Sequence, residues 1–282
     1  MKRLITIIPL LLLVFCSCTP HGVTEPEFDV VFADVGKADF ILIRVKDKFG
    51  VIDAGYKDST DKIDEVMDAY GVSRLEFAVA THNDKDHIGG MAHVIEKYSP
   101  GTLYITPLEG DGKQYGKMLD AAALTGADVV KLKKGGKFEL NEAVFDVLSP
   151  DAGLLELNDQ NEASVVLKMT YGKKSVLFMG DAQLKAEQML TEKSKNALVC
   201  DVIKIGHHGS EKSSSQVFLS KTNAKYAVIS TGDERPASEI TLKAIDACKM
   251  QLLNTHTDGD VVISGTKDTI TYKTNKNTGD AK

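Results

Sequence analysis

Strand-like runs alternate with amphipathic helical segments along most of the chain, and this alternation begins twice. The first half opens with three closely spaced runs rich in Val, Ile and Phe, at Asp29–Ala33, Phe40–Val45 and Gly50–Ile52. The second half follows a loop over residues 151–161 and again opens with a hairpin-like pair of runs. Two sheets that each carry helices on one face pack together through their other faces, so the helices lie on the outside. The pattern predicts an α+β fold, a four-layer αβ/βα sandwich, in which residues 28–273 form a single domain.

Helical spacing of apolar residues recurs between the strand-like runs. The segments with this spacing are Thr60–Tyr70, Ile88–Tyr98, Tyr115–Leu124, Ala182–Lys193, Ser213–Leu219 and Ser238–Lys249. Gly89 and Gly90, near the start of the second segment, are expected to let that helix come close to the loop before it. A last hairpin is expected around Val261–Ile263 and Thr269–Tyr272.

The amino-terminal residues differ in character from the rest of the chain. Lys2 and Arg3 precede an apolar run, Leu4–Phe15, that is short for a membrane span of about 20 residues. Cys18 follows the small residue Ser17, which resembles the end of a bacterial lipoprotein signal. We therefore expect lipidation of Cys18, and an ordinary cleaved signal is the alternative.

These features set the expected boundaries of the chain. Residues 1–18 are interpreted as a lipoprotein signal peptide, residues 19–27 as a linker and residues 274–282 as a flexible tail. The protein would then be exported to the cell envelope and held at the membrane by its acyl chains.

Composition narrows the possible functions. The chain has 34 Lys and Arg residues against 40 Asp and Glu, a formal net charge of -6, which argues against a generally basic nucleic-acid scaffold but permits a local basic patch. It has no Trp and only 6% aromatic residues, so we do not expect its main function to be the binding of carbohydrates or bases on an aromatic platform. Cys200 and Cys248 could form one disulfide or remain buried free thiols, and the sequence leaves both open.

One segment, residues 81–90, carries four potential metal ligands directly after a buried strand and directly before a helix. His82 and Asp84 are two residues apart, so an extended backbone points both side chains the same way. Asp86 and His87 lie at the helix start and can face the same hollow. A bound cation explains why carboxylates and imidazoles crowd together here. The alternative, in which one Asp caps the helix and the imidazoles are exposed, accounts for only part of the cluster.

Two strands of the second half also end in polar groups. Asp181 follows the buried run Val176–Met179 and a glycine, which by itself is an ordinary turn signal. His207 and His208 follow the run Val202–Ile205 and lie between two glycines. Adjacent side chains of an extended segment point to opposite sides, so we expect at most one of these imidazoles to be a direct ligand.

In combination these motifs resemble the metallo-β-lactamase superfamily, and the match is closest to its ComEC-type branch, named for a competence protein of DNA internalisation. The shared order is H-x-D-x-D-H, then G-D after a strand, then H-H-G-S. Further matches are Asp34–Asp39 with D-V-G-Q-G-D, Val51–Gly55 with L-I-D-x-G, Asn161–Leu167 with N-x-x-S-L-V-L, and Thr257–Gly259 with T-x-x-G. The resemblance covers about residues 28 to 272.

The resemblance implies a site for two divalent metal ions, Zn or Mn with Mg possible, at the rim between the two sheets. A hydroxide between the metals would be the nucleophile. The implied ligands are His82 and Asp84 for one metal, Asp86, His87 and His207 for the other, and Asp181 as the bridge.

Other residues receive roles from the same resemblance. Asp86, His208 and Lys204 are the catalytic candidates, and His208, Lys204 and Ser210 are candidates to contact or protonate the departing group. The candidate substrate contacts are Ser210, Asn161 and Lys37.

Two departures from the wider superfamily concern the first metal site. Asp84 stands where zinc-dependent members carry the second His of H-x-H, and the separate His that completes that site has no obvious counterpart, with Asn161 the nearest polar candidate. An oxygen-rich site shifts the preference from zinc towards Mn²⁺ or Mg²⁺. Asp39 and Asp53 lie at strand boundaries and are weaker candidates for a functional role. We interpret Asp53 as structural.

The leading hypothesis is a lipid-anchored metallohydrolase that cleaves a phosphodiester, with nucleic acid a possible substrate and no obligate protein partner evident. The first alternative is hydrolysis of a carboxylic ester, lactone or lactam bond. The second is a non-catalytic envelope protein that binds metal for structure, although Asp86 and Asp181 suit a closed structural zinc site poorly.

Overall fold

The computed structural model describes residues 25–194 and 197–276. The expected signal peptide with Cys18 and the tail beyond residue 276 lie outside the described residues. The boundaries expected at the two ends of the chain therefore stay predictions.

The first sheet comes mainly from the first half of the chain, and eight strands of it are described. They are β1 (Phe28–Phe32), β2 (Phe40–Val45), β3 (Lys48–Ala54), β4 (Phe77–Ala80), β5 (Thr102–Ile105), β6 (Asp128–Lys131), β14 (Val261–Gly265) and β15 (Ile270–Thr274). Their spatial order is β15-β14-β1-β2-β3-β4-β5-β6. Pairing is antiparallel from β15 to β3 and parallel from β3 to β6.

The second sheet repeats this plan, and seven strands of it are described. They are β7 (Lys137–Leu140), β8 (Ala143–Ser149), β9 (Val166–Tyr171), β10 (Lys174–Phe178), β11 (Val202–Lys204), β12 (Tyr226–Ile229) and β13 (Gln251–Asn254). The order is β13-β12-β11-β10-β9-β8-β7, antiparallel from β7 to β10 and parallel from β10 to β13. A meander followed by strand–helix units in each half agrees with the sequence pattern.

Helices connect the parallel strands of both sheets, and two further helices lie between β8 and β9 and between β13 and β14. In chain order they are α1 (Thr60–Ala69), α2 (Lys85–Ile88), α3 (Met91–Tyr98), α4 (Lys113–Thr125), α5 (Ala152–Glu156), α6 (Leu184–Lys193), α7 (Gln216–Thr222), α8 (Glu239–Ala247) and α9 (Thr255–Asp258). A 3₁₀ turn covers Gly206–Gly209. Within the described ranges, no helix has both the length and the apolar character needed to cross a membrane.

Three apolar clusters hold four layers together. The central cluster lies between the sheets and includes the buried side chains of Phe32, Phe145 and Phe178. A second cluster packs α1, α3 and α4 on the outer face of the first sheet, and a third packs α6, α7 and α8 on the second sheet. Burying each large apolar side chain contributes about 1.5–3 kcal/mol. The predicted four-layer αβ/βα sandwich is confirmed.

Several local predictions were wrong. The helix expected over Ile88–Tyr98 is two helices, α2 and α3, separated by Gly89 and Gly90. Strand β13 was not expected, because only two consecutive leucines mark it in the sequence. Helix α6 begins two residues later than expected, at Leu184. Elements this short depend more on their neighbours than on their own pattern.

The two cysteines of the domain are free. Cys200 is buried and Cys248 is partly exposed. Burial raises the pKa of the Cys200 thiol to about 12, so this thiol stays protonated and unreactive at neutral pH.

Gly89 does allow a close approach, but to the Tyr56–Lys57 loop after β3 and not, as expected, to the loop that precedes the helix. A Cβ atom there would overlap the backbone nitrogen of Lys57 and the carbonyl oxygen of Lys85. Both are main-chain atoms that cannot turn aside, so a side chain at this position would push α2 away from the end of β3.

We expect Gly89→Ala to lower the free energy of unfolding by roughly 1–3 kcal/mol, because overpacking against backbone forces the elements apart. Urea unfolding measures this change. Gly116→Ala in α4 is the matched control, since a Cβ there meets no heavy atom within 4 Å. Removing a helical glycine should leave stability unchanged or raise it by up to about 1 kcal/mol. Equal effects of the two substitutions would contradict the packing argument.

Candidate functional site

The polar motifs come together at one rim of the sandwich. Residues 81–90 follow β4 of the first sheet, while Asp181 and the 3₁₀ turn follow β10 and β11 of the second. Two backbone hydrogen bonds join the loops: Val165 donates to the Thr81 carbonyl at 2.8 Å, and His207 donates to the Gly180 carbonyl at 3.1 Å. The site therefore exists only when both sheets are packed together.

The Asp181 carboxylate lies at the centre of four imidazoles and is almost fully buried. Its Oδ1 is 3.2 Å from His87 Nε2 and 3.6 Å from His208 Nε2. Its Oδ2 is 3.7 Å from His207 Nε2 and 3.8 Å from His82 Nε2. Each oxygen of this carboxylate thus faces its own pair of imidazoles.

Each imidazole pair has a second carboxylate beside it. Asp84 Oδ2 is 3.6 Å from His82 Nε2, and Asp86 Oδ2 is 3.8 Å from His208 Nε2. Both aspartates are more exposed than Asp181, so they form the open side of the cluster. All six sequence-predicted ligands therefore lie around Asp181 or include it.

Asp53 fixes the orientation of His87. Its Oδ2 is 2.7 Å from His87 Nδ1, so the other ring nitrogen of His87 faces Asp181. The same carboxylate accepts hydrogen bonds from the Thr81 backbone N–H and hydroxyl, both at 2.8 Å. A carboxylate behind a histidine is the usual way in which proteins orient a ligand imidazole. The structural role expected for Asp53 therefore serves the site directly.

Asp39 and Lys204 form a buried ion pair under the cluster. Lys204 Nζ is 2.9 Å from Asp39 Oδ2 and donates to the Ile205 carbonyl at 3.1 Å. Asp39 Oδ1 is 3.7 Å from His208 Nδ1. The Lys204 side chain is only 1% exposed, so its ammonium group is directed to Asp39 and not to the open side of the site.

One geometric expectation at the site was wrong. His207 and His208 do not lie in an extended segment: both have left-handed backbone conformations, with φ values of 46° and 51°. Left-handed conformations of non-glycine residues are costly and cluster at functional sites. Here the turn lets two adjacent imidazoles contact opposite oxygens of Asp181, which an extended strand cannot do.

Burial and neighbouring charges set the ionisation of the central groups. Burial by itself lowers the pKa of His87, but the Asp181 and Asp53 carboxylates raise it well above its usual value. Burial raises the pKa of Asp181, and the imidazoles of His87 and His208 outweigh this and lower it well below the usual range. Burial lowers the pKa of His208 to about 4, so this imidazole is neutral at pH 7. Neutral imidazoles and ionised carboxylates are the forms that bind metal ions, so His208 and Asp181 are already in the binding form, whereas His87 has to release a proton first.

The charge of the cluster fits a bound cation. Five carboxylates gather here, against the ammonium of Lys204 and the protonated ring of His87: Asp39, Asp53, Asp84, Asp86 and Asp181. Among the buried atoms that face the cluster, His82 Nε2 and Asp181 Oδ1 also lack hydrogen-bond partners in the described part of the chain. Buried unpaired polar atoms are costly, and a cation removes that cost.

Four of these residues already meet the distance requirement for one ion. Asp39, His87, Asp181 and His208 are all buried, and each offers a ligand atom within 4.8 Å of the others. Nitrogen and oxygen donors together suit Zn²⁺ or Mn²⁺, while a site of oxygens alone would suit Mg²⁺ or Ca²⁺.

The remaining candidates lie around this cluster. Asn161 is in the loop before β9, and its buried Oδ1 has no hydrogen-bond partner in the described part of the chain. Ser210 belongs to the turn after His208: its carbonyl accepts hydrogen bonds from the hydroxyls of Ser213 and Thr241, both at 3.1 Å. Lys37 lines a surface hollow beside the site.

Sequence reasoning gave too little weight to Asp39 and Asp53. β2 and β3 are antiparallel, so the start of β2 and the end of β3 meet at the same rim. The positions of these aspartates at those two strand ends were the available signal.

Comparisons with known proteins agree with this fold. Residues 33–233 match the Metallo-beta-lactamase superfamily. Competence protein ComA of Neisseria gonorrhoeae is 31% identical over 224 residues, which cover 79% of this chain and 30% of that protein. ComE operon protein 3 of Bacillus subtilis is 31% identical over 166 residues, 59% of this chain and 21% of that protein. Recombination protein 2 of Haemophilus influenzae is 29% identical over 231 residues, which cover 80% of this chain and 27% of that protein. This chain thus spans less than a third of the length of these relatives.

Solved structures share the fold at low sequence identity. CmlA, a diiron beta-hydroxylase from Streptomyces venezuelae, superposes with a TM-score of 0.60 at 14% identity, over 86% of this chain and 55% of that chain. The metallo-beta-lactamase fold protein YhfI from Bacillus subtilis gives a TM-score of 0.58 at 12% identity, over 86% of this chain and all of that chain. The family match, the fold and the cluster lead to one conclusion: this chain belongs to the metallo-beta-lactamase superfamily, and its homologues include ComEC-type competence proteins.

Proposed function

We propose that this protein is a metal-dependent phosphodiesterase with two divalent cations at the Asp181 cluster. The observation that supports it is the division of the cluster into two halves, one around each oxygen of Asp181. A carboxylate whose two oxygens face two separate sets of donors can serve as the shared ligand of a two-metal site.

We assign His82, Asp84 and His207 to the Oδ2 half. This assignment differs from the one implied by the family resemblance, which groups His207 with Asp86 and His87. The left-handed turn is the physical reason, because it directs His207 Nε2 towards the same oxygen as His82. His207 then supplies the imidazole that the first site lacks in sequence.

The Oδ1 half contains His87, Asp86 and His208. His208 takes the place that the resemblance gives to His207, and its neutral imidazole suits metal binding. Asp39 lies behind His208, and Lys204 neutralises Asp39. We therefore propose that Lys204 positions the cluster and does not contact the departing group.

Two considerations favour a phosphodiester as the substrate. Paired divalent cations, when bound, lower the pKa of a water and stabilise negative charge on the attacking and leaving oxygens of a phosphoryl group. The relatives are named for competence and recombination, and recombination acts on nucleic acids. Lys37 and Ser210, near the open side, remain proposed substrate contacts, as does Asn161.

The chain's own residues prepare the site for this reaction. Asp53 holds the proton at His87 Nδ1, which keeps His87 Nε2 directed at Asp181. The Asp39–Lys204 pair keeps charge balanced beneath His208 without exposing it to water. Asp86, at the open side, is the carboxylate placed to accept a proton from an incoming water.

Metal titration tests the two halves separately. We expect the wild-type protein to bind about two Mn²⁺ per chain, and His207→Ala or His208→Ala to retain about one, because each removes a ligand from a different half. Asp53→Asn should keep both sites but weaken one by about 10–100-fold, as is typical when the group behind a ligand histidine is removed. Calorimetry and elemental analysis measure both effects. Loss of both ions in each single variant would contradict the division into halves.

Hydrolysis of bis(p-nitrophenyl) phosphate with Mn²⁺ tests the reaction. Asp181→Asn should lower kcat/KM by at least about 100-fold, since it removes the charge shared by both halves. Asp246→Asn on the exposed face of α8 is the matched control and should retain full activity. Turnover of a lactone, ester or lactam without diester cleavage would replace the proposal by that alternative. Bound metal without any hydrolysis would favour the non-catalytic alternative.

We also propose that the protein is exported and held in the cell envelope by lipid on Cys18. The apolar run before Ser17 and Cys18 supports this proposal. Cys18→Ser in the producing bacterium should shift the protein from the membrane fraction to the soluble envelope fraction, as followed by immunoblot. An unchanged distribution would refute lipid anchoring.

A further inference from the structure

Glu187 is a buried carboxylate outside the Asp181 cluster. It belongs to α6 and is only 2% exposed. Its carboxylate accepts hydrogen bonds from the backbone N–H groups of Ser214 and Ser215, the latter at 3.0 Å. Burial raises the pKa of Glu187, although these N–H groups act against that rise. A buried carboxylate is costly, and an apolar side chain could pack α6 without that cost. What Glu187 adds to the structure is therefore its pair of hydrogen bonds.

The two N–H groups converge on the carboxylate because the loop contains a left-handed residue. Ser214 has a φ value of 57°. Successive backbone N–H groups beside such a residue form a concave site for an anion, and the Glu187 carboxylate occupies it. Residues 213–215 are thus held in one conformation by a side chain that comes from α6.

Residues 213–215 are tied to both ends of the 3₁₀ turn that carries the adjacent imidazoles, here called the histidine turn (Gly206–Gly209). The buried Ser213 hydroxyl donates to the Gly206 carbonyl at 2.7 Å, at the start of the turn. The Ser213 N–H donates to the carbonyl of Ser210, directly after the turn, at 3.1 Å. A left-handed turn of non-glycine residues persists only when its surroundings hold it, and these bonds do so.

Helix α6 fixes the other side of the same geometry. It begins three residues after Asp181, and Glu187 lies in its first turn. The Glu162 carboxylate holds the start of the helix by accepting hydrogen bonds from the N–H groups of Lys185 and Ala186, at 3.2 Å and 2.8 Å. The Glu187 carboxylate therefore links the element that follows Asp181 to the turn that carries the imidazoles.

We propose that Glu187 is a positioning residue of the metal cluster, which acts through residues 213–215 to keep both imidazoles of the histidine turn directed at Asp181. This inference rests on the proposed function and adds to it a residue outside the ligand set. His207 and His208 belong to different halves of the cluster, so a displaced turn affects both halves at once. Loss of a single ligand affects only one half.

Metal binding by the full chain tests this pattern. Glu187→Gln keeps the shape of the side chain but replaces one acceptor by a donor, which then faces a backbone N–H group. Calorimetry with Mn²⁺ should show both ions bound about 10-fold more weakly, within the range typical of groups behind metal ligands. Glu192→Gln, exposed on the same helix, is the matched control and should bind both ions like the wild type. Unchanged affinity in Glu187→Gln, or weakening of one ion only, would overturn the proposal.

A second comparison separates positioning from general stability. Leu190→Ala removes a buried side chain from the apolar cluster under α6, so it should lower the midpoint of urea unfolding at least as far as Glu187→Gln does. It leaves the hydrogen bonds to residues 213–215 in place and should therefore retain the Mn²⁺ affinity of the wild type. Equal losses of metal affinity in the two variants would show that stability alone is responsible and would overturn the proposal.

Ser213→Ala interrupts the same path without changing a buried charge, so it decides the matter if Glu187→Gln does not fold. It should also weaken both ions. The double variant with Glu187→Gln should bind metal no more weakly than the weaker of the two single variants, because residues of one hydrogen-bond network are not additive. Wild-type affinity in Ser213→Ala, or additive losses in the double variant, would overturn the proposal.

The position of the turn can also be measured without metal. In excess EDTA, the ring Cε1–H proton resonances of His207 and His208 can be assigned by NMR from the variants that lack each histidine. Glu187→Gln should shift both resonances, and Glu192→Gln should leave them in place. Unshifted resonances in Glu187→Gln would overturn the proposal.

Failure of the inference can be told apart from failure of the proposed function. If the wild type binds two Mn²⁺ and cleaves bis(p-nitrophenyl) phosphate, but Glu187→Gln matches it in metal affinity and ring resonances, the role of Glu187 alone is wrong. If Glu187→Gln shifts both rings and weakens both ions, but the wild type cleaves no diester, the positioning role stands and the proposed function is wrong. If the wild type binds no Mn²⁺, the proposed function is wrong and the ring resonances decide the role of Glu187.

Discussion

The structure depends on the burial of like charges at one rim. Asp39, Asp53 and Asp181 are each almost fully removed from water, and their desolvation would be prohibitive without opposite charge beside them. Lys204 neutralises Asp39, and His87 lies between Asp53 and Asp181. The imidazoles around Asp181 complete a set of ligands that a cation would satisfy. The surrounding loops, the left-handed turn and the close glycine contacts all place these groups.

The site is also a joint between the two sheets. His82, Asp84, Asp86 and His87 follow a strand of the first sheet, whereas Asp181 and the histidine pair follow strands of the second. A ligand bound to both sets adds its binding free energy to the packing of the sandwich. Metal affinity and the stability of the interface between the sheets are therefore expected to change together.

Much of the fold and of the candidate site could be predicted from the sequence, because the runs of strand-forming residues and the motifs at strand ends are local signals. Residues 81–90 place four donors next to each other whatever the rest of the chain does. By contrast, the left-handed turn at His207 and His208 depends on contacts with Gly180 and Asp181, which are distant in sequence. Asp39 and Asp53 matter because β2 pairs with β3, and their positions at the two strand ends reveal a shared role only once that pairing is taken into account.

The carboxy-terminal hairpin has a consequence for how the chain is made. β14 pairs with β1, although more than 230 residues of sequence separate Phe28 from Gly265. Until residues 261–265 leave the ribosome, one edge of β1 keeps its backbone donors and acceptors free. Such an edge is a template for pairing with other chains. A chain that stops before β14 would therefore keep most of its motif residues and still be prone to aggregate, so the last strands protect the first one.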